Sequence, residues 1–386
     1  MQRTAYCFVI LLLAFAAQTL VAQTRTVTAR VVDSTDGTAM PYVNVYASTG
    51  IGVISNQEGQ FTIEVDGEAT LRLSYVGYQT LTVKATEAGR TVRLTPLSVA
   101  IGEVEILAPN AILQRVEARL NADYKKARRQ TTRFFNRITV DYYQHHEMLE
   151  SFVGACSAVN LRKLEVYSGQ YWAKDDAGTP IEATLRKTDI HKELSLAPLV
   201  RAETYWTSIV QMTLPFSQSK RTANYRRHYD TSIRRLTSSH GNDIYCITLK
   251  AKASAPEKIL CGTLYVDAQT YQLLQFDGQV DRLKLYVGSN NDQVQVRIPF
   301  TLDLHITYRH SRGFTEIDNL SYSMSGDGLD IHSTLARVSD DVQPVSHGIE
   351  LDANLIEAID LAGFNAEQES RYNIMQRTSA ESKLLK

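Results

Sequence analysis

The chain has 386 residues, with 41 basic and 42 acidic side chains and a formal net charge of −1. That balance leaves no electrostatic footprint for nucleic acid, and no basic stripe stands out. Tyrosine is abundant, 20 residues against 2 tryptophans, a composition that suits exposed β surface.

In chain order, Met1-Gln2-Arg3 supplies a short positive region and Tyr6 to Ala17 is almost wholly apolar. Leu20-Val21-Ala22 then places a small residue before Gln23, which predicts a secretory signal over 1–22 cleaved after Ala22. The apolar run is short of the roughly 20 residues of a membrane span. No cysteine sits at the cleavage point for a lipid anchor, and the rest of the chain shows no transmembrane helix pattern. The remainder is long enough for two or three domains with proper cores.

From Val27 the pattern alternates. Val27, Ala29 and Val31 share one face, and Val43 and Val45 share another between Tyr42, Asn44 and Tyr46. Phe61, Ile63 and Val65 alternate with Thr62 and Glu64, and Leu71 and Leu73 follow. Turn formers punctuate these runs: Asp33 to Gly37, Gly50 to Gly52, Asn56 to Gln60, Asp66-Gly67. Short strands between turn signals every ~8–12 residues predict an all-β sandwich over 23–108. Asp33 to Gly37 has oxygen ligands but lacks the spacing of a calcium loop, and reads as a turn.

Three blocks in this stretch carry a resemblance: Asp36-Gly37 with Pro41 and Val43-Asn44-Val45; Ser55-Asn56 with Gly59, Phe61 and Ile63; Leu73-Ser74-Tyr75 with Gly77-Tyr78. Together they resemble the carboxypeptidase regulatory-like domain, a transthyretin-like sandwich, over Thr24 to Leu107. Asn56 stands where the family more often has Asp, a change confined to turn chemistry. The resemblance implies an accessory domain without catalytic residues, as found on the N-terminal side of outer-membrane receptors and other envelope proteins. It implies an exported chain, periplasmic or outer-membrane associated in a Gram-negative bacterium.

Beyond Pro109, Leu113, Val116, Leu120 and Tyr124 recur at helical spacing with Asn110 as the N-cap, which predicts a connecting helix over 109–128. Residues 129–345 read as an antiparallel β-rich domain. Its clearest strand sets Phe300, Leu302, Leu304, Ile306 and Tyr308 against Thr301, Asp303, His305, Thr307 and Arg309, one face apolar and one wet. Residues 175–220 are irregular, broken by Pro180, Pro198 and Pro215, with a short helix over Tyr205 to Met212. A helix from Asp352 to Leu361 ends at Gly363, and the polar tail from Glu367 to Lys386 reads as loosely ordered, within a C-terminal unit 346–386. Arg133-Phe134-Phe135-Asn136-Arg137 and Gly262 to Asp267 with Thr270-Tyr271 are similar to an uncharacterised envelope family that pairs the regulatory-like domain with a large antiparallel sheet. That family brings no reaction with it.

The search for chemistry is short. A zinc peptidase needs histidine and carboxylate ligands converging with an open position for water. His145, His146 and His191 lack a glutamate three residues on, and His146-Glu147 meets Glu150 where a second histidine belongs. No Gly-x-Ser-x-Gly elbow and no phosphate-cradling glycine loop is present. Asp303 and His305 fall on the wet face of their strand. No catalytic, metal or cofactor-binding residue is therefore assigned, and no cofactor. Of the cysteines, Cys7 lies in the signal and Cys156 is odd. Cys246 and Cys261 would oppose each other in a hairpin centred near Ser254, which makes them a candidate disulfide.

The resulting expectation is a mainly β, non-enzymatic envelope protein acting as an interaction or structural module, with an envelope protein or an amphiphile as partner. Two alternatives stay open: an amphiphile or lipoprotein carrier whose cavity is lined by the Phe300–Tyr308 face, and a small outer-membrane barrel.

Overall fold

The computed structural model describes residues 24–99, 109–127, 131–156, 162–181, 228–237, 243–255, 261–287, 296–311, 313–339, 349–350, 355–366, 372 and 374–385. The expected signal, the irregular stretch with its helix at 205–212, and the strand expected over 101–107 lie outside the described residues, apart from Asp175 to Ile181.

Seven strands build the N-terminal sandwich: β1 (Thr24–Asp33), β2 (Asn44–Ala47), β3 (Gly52–Ile54), β4 (Gln60–Asp66), β5 (Thr70–Ser74), β6 (Leu81–Lys84) and β7 (Thr91–Leu94). They form two sheets, in the orders β4-β1-β7 and β3-β2-β5-β6. The alternation seen in the sequence decides what is inside: Val31, Val43, Val45, Phe61, Ile63, Leu71 and Leu73 are fully buried between the sheets. The turns are held as their residues predict. Asp33 accepts from the Thr35 amide at 2.6 Å and Asp36 from the Thr38 amide at 2.8 Å. Asn56 Oδ1 accepts from the amides of Glu58 and Gln60, at 3.0 and 2.8 Å.

The rest of the chain makes one large sheet. Its strands are β8 (Ser98–Val99), β9 (Thr132–Tyr142), β10 (His145–Cys156), β11 (Arg162–Asp175), β12 (Tyr229–Thr237), β13 (Ile244–Ala251), β14 (Cys261–Asp267), β15 (Leu273–Val287), β16 (Val296–Ser311), β17 (Phe314–Gly326), β18 (Leu329–Ser339) and β19 (Ile349–Glu350). The order is β19-β11-β10-β9-β18-β17-β16-β15-β14-β13-β12-β8, antiparallel throughout. The chain is thus mainly β, as its alternation implied. β8 lies within the stretch assigned to the sandwich, yet it pairs with β12 at Leu236↔Val99, so hydrogen bonds of the large sheet cross that boundary.

One face of this sheet is apolar. Phe134, Ile138, Leu149, Val153, Leu264, Phe276, Leu304, Ile306, Leu320 and Leu335 sit in one continuous core. Helix α1 (Pro109–Ala127) closes it with Ile112, Leu113, Val116 and Leu120, and helix α2 (Leu355–Ala362) closes it with Leu355, Ile356, Ala358 and Ile359. Both helices show the spacing of a single buried stripe. α1 starts at Pro109, with Asn110 already inside it rather than capping it. α2 stops as expected at Gly363, whose φ of +73° is the left-handed value that ends a helix. The apolar row of β16 is part of this core: Leu302, Leu304, Ile306 and Tyr308 are buried within the same cluster that α1 and α2 close.

The opposite face carries the polar residues of the same strands, and part of it is covered while Thr301 and Asp303 stay exposed. The sandwich lies on it. Asn319 donates to Asn44 at 3.0 Å, and Tyr46 reaches Asp318 at 3.5 Å. Ile54, Ala336 and Met375 form a small apolar cluster with Tyr42. A bulge in β17 between the partners of Thr307 and Tyr308 lets Ile317 and Leu320 both reach the core while Asn319 turns toward the sandwich.

The C-terminal segment differs most from expectation. Instead of loosely ordered, residues 374–385 are docked against this face, with Met375, Thr378 and Glu381 buried. They end in the short helix α3 (Ser379–Lys383), which opens on a capping box between Thr378 and Glu381. Composition called the segment polar, but its polar groups are partners for buried charges far away in sequence.

Candidate functional site

Three constellations lie along the covered polar face. The first is ionic. Arg137 is fully buried in β9, and its Nε donates to Glu150 Oε1 of β10 at 2.7 Å. These residues neighbour one another across the strands, so the sheet itself aligns them. The tail completes the cluster. Arg137 donates to the Met375 carbonyl at 2.9 Å and the Gln376 carbonyl at 3.3 Å, and pairs with Glu381 at 3.4 Å. Arg377 forms a two-pronged bond to Glu150, its Nε at 2.9 Å from Oε1 and its Nη2 on Oε2, and lies over the Trp172 ring. Fork-to-carboxylate pairing of this kind is strong and directional. A second buried arginine, Arg337, pairs with Glu316 and Asp318, each at 3.3 Å.

The second centres on His146, at the start of β10. Its Nδ1 lies 2.6 Å from Asp141 and its Nε2 2.8 Å from Asp176. Hydrogen bonds to Asp141 and then Asp176 raise its pKa above the ordinary 6.5, against a smaller opposing effect of burial. His146 is half-buried between two carboxylates and lines a cavity of about 470 Å³. Across the cavity stand His332, Glu381, Lys383 and the sandwich residue Gln57. The two carboxylates bind opposite edges of the ring, so they do not converge with it on one metal ion. Among the described residues no group of three or more His, Cys, Asp or Glu is placed to hold one. His146-Glu147-x-x-Glu150 also lies on a strand, where positions four apart are about 13 Å apart.

The third constellation is Asp277 and His305, 2.6 Å apart on β15 and β16. The imidazole is stacked between Tyr42 and Tyr75 of the sandwich, with ring centroids at 5.4 and 5.8 Å. His305 was expected on a solvated face, but it is an anchor for the sandwich. Asp303, by contrast, is exposed as expected and lines a second cavity of about 280 Å³ with Gln279, His305 and Ser323. Asp277, His305 and Ser321 occupy one cross-strand row, in the order of an acid–histidine–nucleophile relay. The relay is not assembled. His305 Nε2 is buried with no hydrogen-bond partner, and Ser321 bonds the Tyr42 phenol together with Thr334 and Gln57. A nucleophile must lie within about 3.2 Å of its base. Tyr42 holds its place in a left-handed backbone conformation (φ 60°), and desolvation raises its phenol pKa.

Cys246 and Cys261 are not brought together. The register sets Cys246 opposite Tyr265, leaving Cys261 four positions along β14, about 13 Å away at strand spacing. Both thiols are free, and burial pushes that of Cys246 up. The hairpin turns later than a centre at Ser254 would have it, which shifts every partner. Gly262 has a physical reason in this strand: at φ +153°, a Cβ there would overlap the Asp277 carbonyl oxygen of β15. In the sequence Arg137 stands out only within the Arg133–Arg137 motif and Glu150 only as the residue that breaks a zinc spacing, while Arg377 carries no signal. The one available signal was Arg137 among the large apolar residues of a strand.

Residues 27–105 match the model of the CarboxypepD_reg-like domain, which confirms the sandwich resemblance over that stretch. No curated protein matches the chain. Among solved structures, a DUF1329 family protein from Desulfovibrio piger ATCC 29098 aligns at 9% identity over 59% of this chain and 90% of its own, with a TM-score of 0.24. A putative outer membrane lipoprotein-sorting protein domain from Vibrio parahaemolyticus aligns at 11% identity over 60% and 94%, with a TM-score of 0.22. MucB, from its complex with MucA(peri), aligns at 8% identity over 58% and 94%, with a TM-score of 0.17. Scores this low support no inference about this chain. Among the described residues, no helix is long and apolar enough to cross a membrane.

Proposed function

We propose that this is an exported cell-envelope protein that works as an interaction or structural module rather than as an enzyme. The observation that supports this reading most is the use of the polar face. Its buried ionisable groups hold the sandwich and the C-terminal segment onto the sheet: Arg137 and Glu150 grip the tail, and His305 is stacked against Tyr42 and Tyr75. A buried charge pair is a device for fixing one arrangement more than for adding stability. The sandwich, of an accessory domain type, is in this reading a rigid extension of the sheet. Export follows from the N-terminal pattern, with a mature chain starting at Gln23.

Native mass spectrometry of the protein purified from envelope fractions without delipidation tests the reading. The expected result is a mature chain at its bare mass or carrying a second protein. A stoichiometric mass excess released as lipid overturns it in favour of the carrier, and an intact Met1 in the soluble cell extract overturns export.

A further inference from the structure

The arrangement around His146 contains more than the scaffold requires. A carboxylate can only accept a hydrogen bond, and a neutral imidazole has one N–H to give. His146 has a carboxylate oxygen at hydrogen-bond distance from each of its ring nitrogens, Asp141 at 2.6 Å and Asp176 at 2.8 Å. Only the imidazolium satisfies both. The two carboxylates differ in freedom. Asp141 is in the sheet, directly across from His146 in β9. Asp176 is in the turn that leaves β11, a turn held by its own bonds, Asp175 N to the Thr179 carbonyl at 3.0 Å and Gly178 N to the Asp175 carbonyl at 2.9 Å. That turn forms one wall of the 470 Å³ cavity, with Asp175, Asp176 and Gly178 facing α3 across it.

We propose that His146 is a proton-operated clasp, which in its charged form ties the turn at Asp176 to the sheet and in its neutral form releases it, widening the cavity against α3. The neutral ring keeps one bond. Asp141 cannot leave its strand, so Asp176 is the partner that is lost. The other groups facing the ring set its background. Lys174 is its cross-strand neighbour on β11, and Asp330 on β18 is the neighbour of Asp141. His332 and, on α3, Glu381 and Lys383 lie around the cavity, with Asp175 in the turn. Glu381 is occupied by Arg137 and by the Thr378 amide, and Asp175 by the Thr179 amide. Asp141 and Asp176 are therefore the carboxylates in direct contact with the ring.

The test is NMR of the His146 ring nitrogens in the intact mature protein across roughly pH 5 to 8, together with hydrogen exchange at the Gly178 and Thr179 amides corrected for intrinsic rates. The clasp requires both ring nitrogens to carry protons at pH 6.5, a titration midpoint above 6.5, and loss of turn protection with that same midpoint. In Asp176→Asn the midpoint falls back toward 6.5 and turn protection no longer depends on pH. Asp176 is largely exposed in its turn, and circular dichroism checks that this variant folds. Asp141→Asn provides a second lowering of the midpoint, while Asp330→Asn leaves turn protection with its pH dependence. A His146 that is neutral at pH 6.5, a midpoint indifferent to both direct substitutions, or turn protection that does not follow the ring would each overturn the clasp.

Discussion

The two faces of the large sheet solve the same problem by opposite means. On the helix side, apolar residues from ten strands share one core with α1 and α2, and shape alone has to match. On the sandwich side, arginines, carboxylates, a histidine and tyrosines meet partners that must be present in the right place. The apolar face tolerates small changes in orientation, because burial is non-directional. The polar face does not, because a buried charge that loses its partner costs far more than the pair contributes. The difference explains why the C-terminal segment is ordered: Arg137 and Glu150 leave the face unsatisfied until the tail docks.

Removing one member of the ionic cluster is the strongest way to break this comparison. Glu150→Ala leaves Arg137 and Arg377 without their shared carboxylate, and the expected loss is about 3–5 kcal/mol in denaturant unfolding. It should also expose the tail to proteolysis near Arg377. Ile306→Ala on the other face is expected to cost about 3 kcal/mol through its cavity. That variant keeps the tail protected, which separates the two faces even if the energies prove close. Thr378→Ala removes the side chain that accepts the Glu381 amide at 3.2 Å, and about 1 kcal/mol is expected. The smallest effect is the pH dependence of His146. Its pKa is raised in the folded state, so its contribution is fully present below the unfolded value near 6.5 and is lost as pH rises through the higher folded value. With the ring about a third exposed, the change in unfolding midpoint should be small, and Asp176→Asn should flatten it.

These two faces also differ in how well the sequence foretells them. The alternation of Leu302, Leu304 and Ile306, and the stripe of Leu113, Val116 and Leu120, announce the apolar face directly, because period and burial are local properties. What alternation cannot say is what covers each face. The same apolar row fits a packed core and a cavity lining equally well, and only its place in the cluster with α1 and α2 shows it buried. The polar face depends on contacts between distant residues. Arg377 meets Glu150 across 227 positions, and Tyr46 meets Asp318 across 272. A polar tail therefore read as loose, and His305 as solvated. Register is the other gap. The hairpin joining β13 and β14 was legible, but its turn was placed too early, and that error alone produced the Cys246–Cys261 pairing.

The central claim is that sandwich, sheet and C-terminal segment form one unit through the polar face. Hydrogen exchange read by mass spectrometry on the intact mature protein tests it most directly. The account predicts that the amides from Met375 to Leu384 are protected, and that Glu150→Ala strips their protection together with that of Tyr42 to Ile54 on the sandwich. Exchange of the Met375–Leu384 amides at free-peptide rates in the unaltered protein, while β9 and β10 stay protected, would contradict it.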